Sequence, residues 1–271
     1  MKIGLIADIH VDENHAYPVL EAIEDLIRKK NIEMLLIAGD ISEDYRRSIS
    51  TAAKLRKQSG VPVYYVPGNH DLWNKHYPGL DSEKISRIFA EDPFCLSGRC
   101  IESKADKGSI IGETGWYDYS LADRKYTRTE LDRMSLLGRT WHDHLFNCWT
   151  HDNPGKNQEM LDRMKSSLER CQGSEIIAVT HMIPREEFAV PQEREGWGYF
   201  NAFLGSSSYG KLYMKYPVRH AVFGHVHFRK TLNADQIVWH CPCLGYFSEW
   251  ERFAPGKPLE DQVAMALQVI D

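Results

Sequence analysis

Residues 3–10 of this chain read Ile-Gly-Leu-Ile-Ala-Asp-Ile-His, a short apolar run that ends in two potential metal ligands. Apolar residues then recur at the spacing of one helix face, at Val19, Leu20, Ile23, Leu26 and Ile27. Residues 34–38 have the pattern of a strand buried on both faces. A second helix is predicted over 45–58, ended by Gly60, and residues 63–66 form the next strand. This β-α-β-α-β order predicts a parallel sheet covered by helices.

The rest of the chain continues the alternation but contains one stretch of different character. Further strands are predicted at 109–112, 176–179, 221–223 and 236–239. From Trp116 to about Gly173 the pattern instead favours a helix from Glu130 to Phe146, a break at 153–155 and a second helix after it. We therefore expect a single domain over residues 1–271 that carries a helical cap or insertion at about 116–173.

The composition is that of an ordinary folded protein. Hydrophobic residues make up 42% of the 271 positions and charged residues 26%, which excludes a disordered or collagen-like chain. No apolar run approaches the ~20 residues of a membrane span, and Asp8 follows the first apolar run too soon for a signal-peptide core. We expect a cytoplasmic protein without membrane contact. The net charge of −5 also disfavours broad nucleic-acid binding through phosphates.

The six cysteines are expected to be reduced thiols, because a chain of this length does not need disulfides. Cys241 and Cys243 are spaced like metal or redox ligands. No second cysteine pair is near them in the sequence, which disfavours a zinc site built from thiolates.

Five apolar runs end in residues that can bind a metal ion. These residues are Asp8, His10, Asp40, Asn69, His181, His225 and His227. Ligands gather at the carboxyl ends of strands in open sheets flanked by helices, so we expect the five strand ends to converge on one crevice. Asp, Asn and His without thiolates suit manganese, iron or zinc. Seven positions are too many for one ion with an open place for water and suit two ions roughly 3.5–4 Å apart that share a carboxylate.

The order of these motifs resembles the complete motif series of the calcineurin-like metallophosphoesterases. The series consists of Asp8-x-His10, Gly39-Asp40, Gly68-Asn69-His70-Asp71, His181 and Gly224-His225-x-His227. The match spans most of the chain. The resemblance implies an α/β fold, a four-layer αββα sandwich in which two mixed β-sheets pack face to face between helices.

The resemblance also implies a dinuclear metal centre bridged by Asp40. It assigns Asp8, His10 and His227 to one ion, and Asn69, His181 and His225 to the other. His70 would lie beside the ions as the proton donor or phosphate contact, with Asp71 orienting it. We therefore expect a metal-dependent phosphoesterase in which a metal-bridging hydroxide attacks a phosphodiester or phosphomonoester in line. The two ions could be Mn²⁺, Fe²⁺/Fe³⁺ or Zn²⁺.

The motif details favour the small bacterial-type branch of the family. Protein Ser/Thr phosphatases typically carry Gly-Asn-His-Glu, whereas Asp71 stands at the fourth position here. We expect a small phosphoester substrate, with a nucleotide-like diester slightly favoured. Two alternatives stay open, a nuclease acting on polynucleotides and a non-catalytic metal-binding scaffold of the same fold. The sequence does not predict the oligomeric state.

Candidate substrate contacts are aromatic. Trp116 and Tyr117 could stack on a ring of the substrate, although packing in the interior is the role that we favour for them. Trp197 belongs to a glycine- and aromatic-rich loop of the kind that forms a pocket wall. Residues 141–144, Trp-His-Asp-His, could face the metal ions. A solvated helix face is the interpretation that we favour for them.

Overall fold

The computed structural model describes residues 1–102, 108–171 and 175–271. Its strands are β1 (Ile3–Ile6), β2 (Met34–Ala38), β3 (Val63–Val66), β4 (Arg99–Glu102), β5 (Gly108–Gly112), β6 (Ser135–Leu136), β7 (Arg139–Thr140), β8 (Glu175–Val179), β9 (Val218–Val222), β10 (Arg229–Ala234), β11 (Ile237–Pro242) and β12 (Gln268–Ile270). Its α-helices are α1 (Val19–Lys30), α2 (Tyr45–Ser59), α3 (Ser82–Glu91), α4 (Arg128–Leu131), α5 (Asp143–Phe146), α6 (Asn153–Arg170), α7 (Trp197–Phe200), α8 (Ser207–Tyr213), α9 (Phe247–Phe253) and α10 (Leu259–Ala266).

Two mixed sheets form the centre of the molecule. The first has the order β12-β1-β2-β3, in which β1, β2 and β3 run parallel and β12 is antiparallel. The second has the order β10-β11-β9-β8-β5-β4, with four parallel central strands and an antiparallel strand at each edge. The early β-α-β-α-β pattern therefore builds only the first sheet.

The sheets pack face to face because apolar side chains alternate along their strands. In β1, Ile3 and Leu5 lie in the core between the sheets, while Ile6 packs on the helix side. Val19, Ile23 and Ile27 recur along α1 and belong to the same helix-side core. On the far side, α6 and α8 contribute buried residues against the second sheet. The expected four-layer αββα sandwich is confirmed.

The stretch 116–173 divides into two parts. Helix α6 packs on β4 and β5 as part of the outer layer, whereas the residues before it form a cap around a separate aromatic cluster. The end expected at Gly173 lies outside the described residues. The single-domain organisation stays a prediction.

The predicted helix from Glu130 to Phe146 was wrong. The structure has the short helices α4 and α5 there, separated by the β6–β7 hairpin. The hairpin turns at Leu137 and Gly138, which both have positive φ angles, 51° and 75°. Positive φ at both central residues is what a tight two-residue hairpin turn requires, so the turn interrupts the helical periodicity.

The cysteines also depart from expectation. A disulfide joins Cys100 of β4 to Cys171 after α6. Cys95, Cys241 and Cys243 are free and buried. Among the described helices, none has the length and apolar character needed to cross a membrane.

Candidate metal centre

All seven residues predicted as metal ligands lie together at the carboxyl ends of β1, β2, β3, β8 and β9. The two sheets join at this edge, where the Ala7 amide donates to Pro242 O at 3.0 Å and the Leu244 amide donates to Ala7 O at 2.9 Å. Six of the seven side chains are buried, and His225 is half-buried. The folded chain therefore brings donor atoms from both sheets into one crevice.

One group of ligand atoms comes from Asp8, His10 and His227. His227 Nε2 lies 3.1 Å from His10 Nε2 and 3.5 Å from Asp8 Oδ1. The three ligand atoms lie within 4.8 Å of one another, close enough to hold one ion.

A second group of ligand atoms surrounds His181. Its Nε2 lies 3.3 Å from Asp40 Oδ2, 3.0 Å from Asn69 Oδ1 and 3.2 Å from His225 Nδ1. Asp40 Oδ2 is also 3.7 Å from His10 Nε2 in the first group. Asp40 therefore stands between the two groups, where a bridging carboxylate would have to lie.

The histidine rings are held by contacts on their far side. His181 Nδ1 donates to Ala38 O at 2.9 Å, and His225 Nε2 donates to Phe203 O at 3.1 Å. A carbonyl oxygen only accepts hydrogen bonds, so each bonded nitrogen carries the proton. The other nitrogen of each ring faces the crevice, where it can bind a metal ion once it is deprotonated. The donor set fits divalent cations.

Glu249 of α9 holds His227 in the same way, with Glu249 Oε2 2.6 Å from His227 Nδ1. We expect Glu249→Gln to weaken metal binding at the first group by about 10–100-fold, because the carboxylate fixes the orientation of the ring. Titration of manganese into chelator-treated protein measures this affinity.

The control for this prediction is Glu251→Gln. Glu251 lies on the same helix, and its carboxylate accepts from the Gly256 amide away from the crevice. Equal manganese affinity in both variants would contradict the role assigned to Glu249.

The backbone at the crevice is strained. Five of the seven predicted ligands have positive φ, namely Asp8, His10, Asp40, His225 and His227. A non-glycine residue in this region costs of order 1–3 kcal/mol, and such residues concentrate at functional sites. Two glycines also allow the backbone to lie close to the ligand carboxylates. A Cβ on Gly68 would lie 2.1 Å from Asp40 Oδ1, and one on Gly224 would lie 2.4 Å from Asp8 Oδ2.

The electrostatics of the crevice indicate a place for positive charge. Asp8 and Asp40 are buried, and no lysine or arginine of the described residues pairs with either carboxylate. Burial holds the pKa of Asp8 well above its ordinary value. Burial also opposes ionisation of Asp40, but His181 and His70 outweigh it and hold the pKa of Asp40 well below its ordinary value. A buried carboxylate needs a paired cation, and metal ions would supply it.

His181 carries the compensating proton in the metal-free chain. Burial lowers its pKa, but the nearby charge of Asp40 outweighs burial and raises it to about 9. Burial holds the pKa of His10 and of His225 well below the ordinary value, so these rings are neutral and ready to bind metal. Because ligands must be deprotonated, metal binding would displace the proton of His181.

His70 lies at the edge of the crevice, with its side chain 15% exposed. Its Nε2 is 3.8 Å from Asp40 Oδ2, and its ring stacks on Trp73 with centroids 3.7 Å apart. Its Nδ1 is 3.7 Å from Glu43 Oε1, too far for a hydrogen bond. Burial lowers its pKa, but the charges of Asp40 and Glu43 outweigh burial and raise it to about 9. His70 therefore holds a proton at neutral pH in the metal-free chain.

The role expected for Asp71 needs correction. Its carboxylate accepts from the amides of Gly68 at 2.7 Å and Ser42 at 3.0 Å, and from the Ser48 hydroxyl at 2.5 Å. None of the hydrogen bonds in the described part of the chain joins it to His70. The Asp71 carboxylate is instead bonded to backbone amides close to Asp40 and Asn69 in the sequence. Asp71 thus fixes the loops that carry Asp40 and Asn69.

Asp143 is a functional residue that the sequence analysis missed. It belongs to the segment 141–144 for which a solvated face was favoured, but its side chain is buried. Asp143 Oδ1 accepts from Asn69 Nδ2 at 2.8 Å and from Trp73 Nε1 at 2.7 Å. These bonds turn the Asn69 carbonyl oxygen towards His181. The only local signal was an acidic residue within an aromatic segment.

The crevice opens into a cleft of about 650 Å³. His70, Asp143 and Trp197 line it. The expectation that Trp116 and Tyr117 contact substrate was wrong, because both rings are fully buried in the aromatic cluster of the cap. The Tyr117 hydroxyl instead lies 3.4 Å from Asp143 Oδ2, behind the cleft wall.

Comparison with known proteins gives related sequences and folds. An uncharacterized protein, L509 of Acanthamoeba polyphaga mimivirus, is 22% identical over 260 residues, covering 92% of this chain and 93% of that protein. The [acyl-carrier-protein] phosphodiesterase PptH of Mycobacterium tuberculosis is 21% identical over 281 residues, covering 92% of this chain and 79% of the relative.

Solved structures show the same architecture. The crystal structure of the phosphopantetheinyl hydrolase PptH of Mycobacterium tuberculosis superposes with a TM-score of 0.78 at 18% identity, covering 99% of this chain and 95% of that one. A dimetal phosphatase from Danio rerio superposes with a TM-score of 0.55 at 13% identity, over 89% and 86% of the two chains.

A family model covers the motif series itself. The model for calcineurin-like phosphoesterases matches residues 1–229, which include every residue of the crevice described above except Glu249. The chain belongs to the calcineurin-like phosphoesterases.

Proposed function

We propose that this chain is a metal-dependent phosphodiesterase with a dinuclear centre, acting on a small phosphoester substrate. One observation carries the proposal: Asp40 lies between two groups of largely buried ligand atoms, beneath a cleft that His70 also lines. Asp8, His10 and His227 would hold one ion. Asn69, His181 and His225 would hold the other.

Two divalent ions bound there would lower the pKa of a water molecule and neutralise charge on the phosphoryl oxygens. The protein's part is then to position the ester and to protonate the leaving oxygen. His70 is the group suited to this step, because it lies beside Asp40, faces the cleft and carries a proton in the metal-free chain. Trp73 stacks against its ring and limits its rotation.

A diester is favoured over a monoester by the space around the site. A volume of about 650 Å³ falls within the range of about 300–1,000 Å³ typical of pockets for small organic ligands, and far exceeds one phosphoryl group. Such a cleft can bury groups on both sides of the phosphorus. The name of PptH, a phosphodiesterase, agrees with this preference.

The proposal is tested with chelator-treated protein, to which manganese is added back, on bis(p-nitrophenyl) phosphate and p-nitrophenyl phosphate. We expect manganese-dependent release of p-nitrophenolate, faster from the diester. Metal content is measured on the same sample, and iron and zinc are compared with manganese. Protein that bound no metal would refute the dinuclear centre. Two bound ions without turnover of either ester would favour the scaffold alternative.

A further inference from the structure

A second electrostatic feature of the cleft lies in its wall, away from the metal ligands. Arg139 of β7 and Arg194 of the loop before α7 both line the cleft. The Trp197 amide donates to the Arg194 carbonyl at 3.0 Å. The Arg139 guanidinium lies over the rings of Trp197 and Phe200, 6.0 Å and 4.8 Å from their centroids. The two arginines thus belong to one wall, built from the cap hairpin and this loop.

Neither guanidinium is neutralised within the described part of the chain. Six other arginines form ion pairs with carboxylates there, including Arg252, which also lines the cleft but pairs with Glu249 at 3.2 Å. Glu193 and Glu195 flank Arg194 in the sequence but do not line the cleft. The cleft wall therefore carries two positive charges without a carboxylate partner, although the net charge of the whole chain is −5.

The contacts of Arg139 leave its donors available. A cation–π contact uses the flat face of the guanidinium, and the N–H groups project from its edge. Guanidinium edges match phosphate oxygens in bidentate geometry. Two such groups carry a charge of +2, which a terminal phosphate with a charge of roughly −1.5 to −2 at pH 7 balances better than a carboxylate does.

We propose that Arg139 and Arg194 form a second anion subsite, which binds a terminal phosphate on the substrate remote from the scissile phosphodiester. The proposal rests on the phosphodiesterase function proposed above and narrows its substrate class. The preferred substrates are phosphodiesters that carry an additional phosphate, such as nucleotide derivatives with a second phosphate on the sugar. The scissile group would then lie at the residues that would hold the metal ions, while Arg139 and Arg194 bind the other end of the substrate.

The test compares two chromogenic diesters that differ only in this phosphate: thymidine 5′-(p-nitrophenyl phosphate) with and without a 3′-phosphate. We expect the 3′-phosphate to raise kcat/KM of the manganese-loaded protein by about tenfold or more, as expected for hydrogen bonds to a charged group. Arg139→Ala and Arg194→Ala should each reduce this ratio towards one. The ratio cancels any general loss of activity. Arg133→Ala, an exposed cap arginine outside the cleft lining, is the control and should leave the ratio unchanged.

Calorimetric titration with thymidine 3′,5′-bisphosphate and thymidine 5′-monophosphate separates the two proposals. Hydrolysis of both diesters at equal rates would overturn the subsite and leave the phosphodiesterase function intact. If neither diester is hydrolysed, the phosphodiesterase proposal is contradicted, and the calorimetric affinities for the two nucleotides test the subsite on their own. Tighter binding of the bisphosphate that Arg139→Ala and Arg194→Ala remove would then support the subsite, and equal binding of the two nucleotides would overturn it.

Discussion

Asp40→Asn should impair binding of both metal ions and with it the hydrolytic activity. Asp40 Oδ2 lies 3.3 Å from His181 Nε2 and 3.7 Å from His10 Nε2, within reach of both ligand groups. The amide removes the negative charge while keeping the shape of the side chain. Mutation of a group that only orients a metal ligand lowers metal affinity by about 10–100-fold, so loss of a shared ligand should lower it by more than about 100-fold.

Metal content after equilibrium dialysis measures the effect of Asp40→Asn. We expect about two ions per chain before the change and less than one after it. Asp162→Asn, in an exposed turn of α6, is the matched control and should retain both ions. Circular dichroism establishes that each variant is folded. Retention of two tightly bound ions by Asp40→Asn would show that this carboxylate does not bridge them.

His70→Ala should keep both ions and lose turnover by about 10²–10⁴-fold, the usual contribution of a general acid. This result distinguishes a proton donor from a metal ligand, since the position of His70 is compatible with both roles. His70 lies with His10 and Asp40 in a third group of residues whose ligand atoms could hold an ion. If the variant loses an ion, His70 is a ligand and the proton-donor assignment is wrong.

The leaving group provides a second test of the His70 role. A p-nitrophenolate leaves without protonation, whereas an alkoxide needs a proton, so the loss in His70→Ala should be larger for alkyl diesters than for p-nitrophenyl diesters. The native protein should also lose activity on alkyl diesters as the pH rises through the pKa of His70, because the donor is then deprotonated. This alkaline decline should be absent in the variant. An equal loss on both ester classes would contradict proton donation.

The sequence predicts the first sheet because its signals are local. The apolar runs of β1, β2 and β3 and the helical spacing of α1 and α2 can be recognised over a few residues, and the ligands follow the strands directly. The cap was predicted less well. A turn of two residues at Leu137 and Gly138 breaks a segment whose composition alone favours helix.

The contacts around the ligands could not be predicted from local patterns. Asp143 is 74 residues from Asn69, and only the fold of the cap over the strand ends brings them to 2.8 Å. The positions of Trp116 and Tyr117 could not be predicted locally either. Both residues follow β5, just as the ligand-bearing motifs follow other strands, but the fold packs them inside the cap.

By itself, the sequence determined which donor atoms the chain offers and at which strand ends they stand, because strand periodicity and short motifs are properties of neighbouring residues. The tertiary structure decided how those donors are held. It directs the carboxylate of Asp71 to the backbone, places Glu249 behind His227 and buries Asp143 behind Asn69. These choices depend on which segments pack together, since a buried carboxylate bonds to the donors that the fold brings within reach.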